Sequence, residues 1–293
     1  MNQFYIQLML TDKCNKSCLY CDLDHKNHTQ KNEVDLDYLN WILKILSLYC
    51  DDNLYIEITG GEIGLLSNLG EVIQILTSYK CVNKIQLMSN GLVRKDYPDI
   101  VPLVDYYNEH LIYELDDKSI ISFYDLPFLY KDNIKNVIVL TENTTLSLLD
   151  NFEYYDQMGF FNDDFFWLKM YVERTTKIQH RNEIIQLFTK INTSYANYCI
   201  TQLTEQDKSK KRMCWMYPWQ PVIDLQERKI IHCAYHNFTN ELVFDCNESN
   251  IELLINNKLF RCISMPQYCE DCYLYNRDDR FNLTNKKSNM VVI

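Results

Sequence analysis

Glycine and proline are scarce, six of each in 293 residues. A chain this poor in both carries no glycine-serine linker, no proline-rich spacer and no low-complexity tract. Long apolar runs are missing as well. The most apolar stretch, Phe160 to Val172, is broken by Asn162, Asp163, Asp164 and Lys169, well short of the ~18 uninterrupted residues of a membrane span. The opening Met-Asn-Gln-Phe-Tyr-Ile has neither the basic start nor the small-residue cleavage site of a secretory signal. Positive charge is outnumbered, 29 basic against 40 acidic residues for a net charge of −11. That balance excludes the electrostatic footprint of a nucleic-acid binder and mildly favours a neutral or basic substrate.

What is present suits a globular enzyme. Hydrophobic residues make up 47% of the chain, and a chain near this length buries about 75% of its unfolded surface. Alternation at Phe4, Ile6, Leu8 and Leu10 predicts a first strand, and Leu39, Ile42, Leu43 and Leu46 mark a helical face within Asp35 to Cys50. Strands follow at Leu54 to Thr59, Lys84 to Met88, Leu111 to Leu115, Asn136 to Leu140 and Phe165 to Val172. Helices fall around Leu69 to Leu76, Thr145 to Met158 and Arg181 to Tyr195. Strands alternating with helices imply an α/β fold with a parallel sheet and right-handed crossovers. Six such units are too few for an eight-fold barrel, so the expected shape is an open, partial (β/α)6 TIM-like barrel with ligands at the carboxyl ends of its strands.

Against the scarcity of glycine stand twelve cysteines. Three of them form Cys14-Asn-Lys-Ser-Cys18-Leu-Tyr-Cys21 on a loop directly after the first strand. Packing alone gives no reason for three thiols beside Asp12, Lys13, Asn15, Lys16 and Asp22. A disulfide framework belongs to short secreted domains, and zinc would need a fourth ligand, for which His25 and His28 are candidates. An iron-sulfur cube takes thiolates, and three leave one iron open to something that is not protein. The next motif is Thr59-Gly60-Gly61-Glu62 at the end of the second strand. Two of six glycines on adjacent positions imply that the backbone there approaches something closely, with a ligand the natural candidate.

Together these motifs resemble the radical S-adenosylmethionine (radical SAM) enzymes, whose Cys-x3-Cys-x2-Cys loop carries an aromatic residue before its last cysteine, the place filled by Tyr20. The resemblance implies that Cys14, Cys18 and Cys21 hold a 4Fe-4S cluster whose open iron binds S-adenosyl-L-methionine. It also implies that Thr59, Gly60, Gly61 and Glu62 hold the methionine end of that cofactor. Ser89 and Asn90 of Met88-Ser-Asn-Gly91 match the third-strand end, and Glu114 matches a polar residue that meets the ribose. Each of these three also fits ordinary turn chemistry. Reductive cleavage of the sulfonium would release a 5'-deoxyadenosyl radical that abstracts hydrogen from substrate. Such chemistry needs a dry, well-positioned site, a low-potential electron donor such as flavodoxin or ferredoxin, and the reducing cytoplasm.

From about Lys211 the pattern changes. Cys214-Trp-Met-Tyr-Pro-Trp219 leads into Val-Ile-Asp, a turn at Gln226 and Glu227, and Lys229-Ile-Ile-His-Cys233, which reads as a hairpin with a cysteine at each end. Cys269-Glu-Asp-Cys272 follows. On spacing alone these four thiols fit zinc and iron-sulfur equally. The segment resembles the twitch subdomain, a one-cluster relative of the SPASM extension, which implies a second, auxiliary 4Fe-4S cluster on Cys214, Cys233, Cys269 and Cys272. Cys246 and Cys262 are spare thiols able to replace one of them. The expected division is a barrel over 1–210 and an auxiliary-cluster domain, a small cysteine-rich β-hairpin plus helix, over 211–293. A cluster closed by four cysteines has an electronic job, such as taking an electron from a substrate radical, or tunes the pocket.

The resemblance implies oxidative modification, cross-linking or epimerisation of a ribosomally made peptide. The first strand is expected to start at about Phe4, so either a leader-binding protein is separate or the substrate is small. Two other readings stand beside it: a dehydrogenase of a small sugar alcohol or aminocyclitol, and a non-catalytic binding protein stabilised by metals. Cys50, Cys81, Cys199, Cys246 and Cys262 read as buried apolar residues, and none is assigned as a hydrogen donor.

Overall fold

The computed structural model describes residues 4–16, 33–110, 134–140, 142–157, 159–161, 166–170, 180–194, 196–197, 200, 212–214, 221–231, 243–256, 259 and 275–277. Six strands run in chain order: β1 (Phe4–Thr11), β2 (Leu54–Gly60), β3 (Val82–Ser89), β4 (Tyr106–His110), β5 (Ile134–Leu140) and β6 (Phe166–Met170). Each pairs in parallel with the next. The expected alternation is therefore present as an α/β fold with a mostly parallel sheet. The described part of the fourth strand is Tyr106–His110, just ahead of the expected Leu111 to Leu115, which lies outside the described residues.

Helices cover one face of the sheet. In α1 (Leu36–Ser47) the buried stripe is Leu39, Ile42, Leu43, Ile45 and Leu46, a 3.6-residue period. Its start is set by Asp35, whose Oδ1 accepts from Tyr38 N at 3.0 Å, satisfying a donor that the first helical turn leaves open. α2 (Leu69–Ser78) buries Leu69, Val72, Ile73 and Leu76 into the same core. A short α3 (Leu92–Asp96) follows β3. The helical stretch expected from Thr145 to Met158 is two helices, α4 (Glu142–Asp150) and α5 (Phe152–Gln157). These and α6 (Arg181–Ile191) pack a second cluster on β5, including Ile138, Leu140, Tyr155, Phe160 and Phe188.

Parallel register assigns each strand residue a face. Leu8, Ile58, Leu87 and Tyr107 lie side by side and belong to the helix-covered core. One residue earlier, Gln7, Glu57, Gln86 and Tyr106 lie side by side on the opposite face. Three of those four are buried and polar. Gln7 Nε2 donates to Glu57 Oε2 at 3.2 Å, and Tyr55 OH donates to Gln86 Oε1 at 2.5 Å. A buried polar row along the inner face of a sheet satisfies itself where it can, because each unpaired group costs free energy.

The carboxyl-terminal hairpin extends this sheet. After β7 (Arg212–Cys214), strand β8 (Val222–Asp224) pairs in parallel with β1, β9 (Lys229–Ile231) pairs antiparallel with β8, and β10 (Val243–Asp245) pairs antiparallel with β9. The order is β10-β9-β8-β1-β2-β3-β4-β5-β6, nine strands. Ile223, Leu225 and Ile230, with Ile251 and Leu254 of α7 (Glu248–Ile255), enter the same core as α1. Of the hairpin expected between Cys214 and Cys233, the described residues form β8 and β9. Cys214 lies in a separate two-stranded sheet, where it is paired with Tyr275 of β11 (Tyr275–Arg277).

Candidate active site

Three strands deliver their carboxyl ends to one edge of the sheet: β1 at Thr11, β2 at Gly60 and β3 at Ser89. The segment after β1 is tied to the turn after β2 by backbone bonds. Gly61 N donates to Thr11 O and Glu62 N donates to Lys13 O, each at 2.7 Å. Gly60 has φ +131°, and a Cβ there would collide with the Thr11 carbonyl; a Cβ at Gly61 would collide with that of Lys13. The two glycines are therefore required where one stretch of backbone approaches another. The close approach expected from Gly60-Gly61 is made to the start of the cysteine loop itself.

Glu62 locks the third strand end onto the other two. Its side chain is 1% exposed. Oε1 accepts from Gly64 N at 2.8 Å and from Ser89 Oγ at 2.9 Å, and Oε2 accepts from Asn90 N at 2.6 Å. Burial pushes its pKa up, opposed by the bonds from Asn90, Gly64 and Ser89. Asn90 then turns its amide outward: Nδ2 donates to Asn15 Oδ1 at 2.7 Å and reaches Cys14 Sγ at 3.8 Å. Cys14 is partly exposed at this edge, whereas Cys50, Cys81 and Cys246 are buried. Burial pushes Cys50 and Cys246 up to about 11, which fits thiols that pack and do not react.

The structure therefore brings together Cys14, Gly60, Gly61, Glu62, Ser89 and Asn90, with Thr59 half-buried at the end of β2. Cys18, Tyr20, Cys21, Glu114, Cys233, Cys262, Cys269 and Cys272 lie outside the described residues, and of Cys214 only the backbone is described. Among the described residues no group of three or more His, Cys, Asp or Glu side chains is arranged to hold a metal ion. The donor at the edge is a presented thiol on a loop anchored by two backbone bonds. That is the chemistry an iron-sulfur group asks of its first ligand.

Two further groups at this edge carry no sequence motif. Glu109, near the end of β4, is 5% exposed and takes a two-pronged pair from Arg94, with Nε to Oε2 and Nη2 to Oε1 both at 2.8 Å. Tyr107 OH adds a third donor at 3.1 Å. Asp224 ends β8 beside Met9 and is 3% exposed. Its Oδ1 accepts from Gln226 N and Glu227 N, yet burial raises its carboxyl to about 6. A pattern search finds neither, since each is a lone acidic residue until the fold supplies its surroundings.

No family model matches the chain. It is 33% identical over 90 residues to GTP 3',8-cyclase of Vibrio atlanticus, covering 30% of this chain and 27% of that protein. It is 28% identical over 89 residues to GTP 3',8-cyclase of Vibrio cholerae, with the same two coverages, 30% and 27%. The match thus spans only about a quarter of the length of these curated relatives. Among solved structures, histidine-tagged anSMEcpe with bound AdoMet superposes with a TM-score of 0.60 at 12% identity, covering 92% of this chain and 83% of that one. SuiB of Streptococcus suis bound to S-adenosylmethionine gives 0.57 at 13% identity, covering 98% and 73%. No helix among the described residues is long and apolar enough to cross a membrane. These likenesses show a shared α/β fold and, over about 90 residues, similarity to GTP 3',8-cyclases.

Proposed function

We propose that the protein is a radical SAM enzyme that reductively cleaves S-adenosylmethionine at a 4Fe-4S cluster on Cys14, Cys18 and Cys21 and oxidatively modifies a ribosomally made peptide. The observation that carries the reading is the stitching of three strand ends at one edge, which holds the Cys14 loop, the Gly60-Gly61 turn and the Ser89-Asn90 turn within hydrogen-bond reach of one another. When bound, the cluster and its sulfonium ligand supply the electron transfer and the 5'-deoxyadenosyl radical. The chain's own residues do the positioning. Thr11 and Lys13 carbonyls fix the loop that carries Cys14, the two glycines allow that approach, and Glu62 fixes Asn90.

The peptide reading draws on the fold neighbours, one of which is anSMEcpe with bound AdoMet and the Cp18Cys peptide, TM-score 0.56 at 14% identity. A second, auxiliary cluster on Cys214, Cys233, Cys269 and Cys272 fits the pairing of Cys214 with Tyr275, three residues past Cys272. It would accept an electron from a substrate radical. The assignment of 1–210 to a barrel and 211–293 to an auxiliary-cluster domain belongs to this proposal, with β8 to β10 shared between them through the sheet. Anaerobic incubation with S-adenosylmethionine, a reductant and a short peptide encoded beside the gene tests it. A peptide product lighter by two hydrogens, or cross-linked, supports the reading; turnover only of a sugar alcohol or aminocyclitol replaces peptide by that substrate.

A further inference from the structure

We propose that Asn90 is a positioning residue that donates a side-chain hydrogen bond to the Cys14 sulfur and thereby raises the reduction potential of the cluster bound there. The inference rests on the proposed cluster at Cys14 and goes beyond it, since nothing in the cysteine loop itself names a tuning group.

The geometry has three parts. First, the Asn90 amide nitrogen carries two hydrogens and has two partners, Asn15 Oδ1 at 2.7 Å and Cys14 Sγ at 3.8 Å, the second within the longer range of a bond to sulfur. Second, the Asn90 backbone is held: its N–H meets Glu62 Oε2 at 2.6 Å, and the preceding Ser89 Oγ meets Oε1 of the same carboxylate. Third, the chain beyond Asn90 is fixed in direction. Gly91 has φ +98° and caps the start of α3, and its N–H and that of Val93 both donate to Ser89 Oγ. A side chain anchored on both sides presents its donor in one place, so the bond to sulfur is preorganised.

The electronic consequence follows from charge. In the free protein the Cys14 thiol donates weakly toward Asn15 Oδ1 at 4.0 Å. As a cluster ligand the sulfur has lost its proton and only accepts, so the Asn90 N–H becomes a bond to an anionic acceptor, stronger than one between neutral groups. One-electron reduction adds negative charge shared by the ligand sulfurs. The bond therefore stabilises the reduced state more than the oxidised one, and hydrogen bonds to sulfur are among the established levers on cluster potential. Losing it should make reduction less favourable by about tenfold, which for a one-electron couple is about 59 mV.

The test is a redox titration of the anaerobically reconstituted full chain, following the electron paramagnetic resonance signal that changes on adding S-adenosylmethionine. Asn90→Ala should lower the midpoint of that signal by about tenfold in the reduction equilibrium, and Asn90→Asp, nearly isosteric but without an N–H, should lower it further. Iron content measured alongside guards against misfolding, and the auxiliary signal should not move. Unchanged midpoints in both variants at full iron content, or equal shifts at both clusters, would overturn the role of Asn90. So would a raised KM for S-adenosylmethionine at unchanged potential, which marks Asn90 as a nucleotide contact. Wild-type protein that forms 5'-deoxyadenosine while the variants keep its potential separates that failure from failure of the cluster assignment, in which the wild type takes up no iron and sulfide.

Discussion

Glu62 is a carboxylate with almost no access to water whose two oxygens hold groups from three positions, Gly64, Ser89 and Asn90. Glu62→Ala strips the acceptor from all three at once and should cost about 3 kcal/mol, read as a lower denaturation midpoint. Glu62→Gln keeps the volume and should cost less. Asp224 is predicted to leave its mark in the pH profile. Burial raises it from an ordinary 3.8 to about 6, so the folded chain holds this proton more tightly than the unfolded one. Its contribution is fully present below the unfolded value and is lost as pH rises through the folded one. Stability should fall by up to about 3 kcal/mol between about pH 4 and 6, and urea midpoints of Asp224→Asn should lack that decline. Motif spacing made Cys14, Gly60, Gly61, Glu62, Ser89 and Asn90 legible in the sequence. Asp224, Glu109 and Arg94 were not, because a raised carboxyl or a buried ion pair is made by neighbours that only the fold brings close.

The elements differ in how plainly their sequences declare them. α1 is legible because Leu39, Ile42, Leu43 and Leu46 keep a helical period behind a capping aspartate, and all four are buried. β4 is not, because Tyr106-Tyr107-Asn108-Glu109-His110 puts polar residues on both faces. Asn108 and Glu109 are both buried, the second held by Arg94 and Tyr107, so there is no apolar alternation to read. The long helix expected before Met158 breaks at Asn151, whose amide Nδ2 bonds Ser147 O at 3.1 Å, a local alternative to continuing the helix. Capping carries the prediction at this scale. Asp35→Ala should destabilise by about 1 kcal/mol. Asp35→Asn keeps the acceptor for Tyr38 N but gives up the exposed pair with Arg228 at 2.9 Å, and should cost below about 0.5 kcal/mol. Chemical denaturation of the two variants separates the cap from the ion pair.

At the scale of the molecule, the sheet joins what the sequence divides. A change of pattern near Lys211 suggests a separate carboxyl-terminal unit, but β8 lies beside β1 and its turn returns to the start of the chain: Gln226 Nε2 donates to Leu10 O at 3.1 Å and to Glu33 O at 3.0 Å. Three-residue strands such as β8 and β9 carry too little pattern to announce which sheet they will join; pairing between distant segments decides it. The chain thus leaves β1 between the Gly60-Gly61 turn on one side and the Asp224 turn on the other, the edge at which the proposed cluster would be held. The most direct measurement is 5'-deoxyadenosine formation by anaerobically reconstituted protein, wild type against the Cys14→Ala, Cys18→Ala, Cys21→Ala triple variant, with iron counted in both. The wild type is predicted to hold about eight irons and cleave the cofactor, and the variant to hold about four irons and form no 5'-deoxyadenosine. Release of that nucleoside by the triple variant, or zinc without sulfide in the wild type, would contradict the assignment.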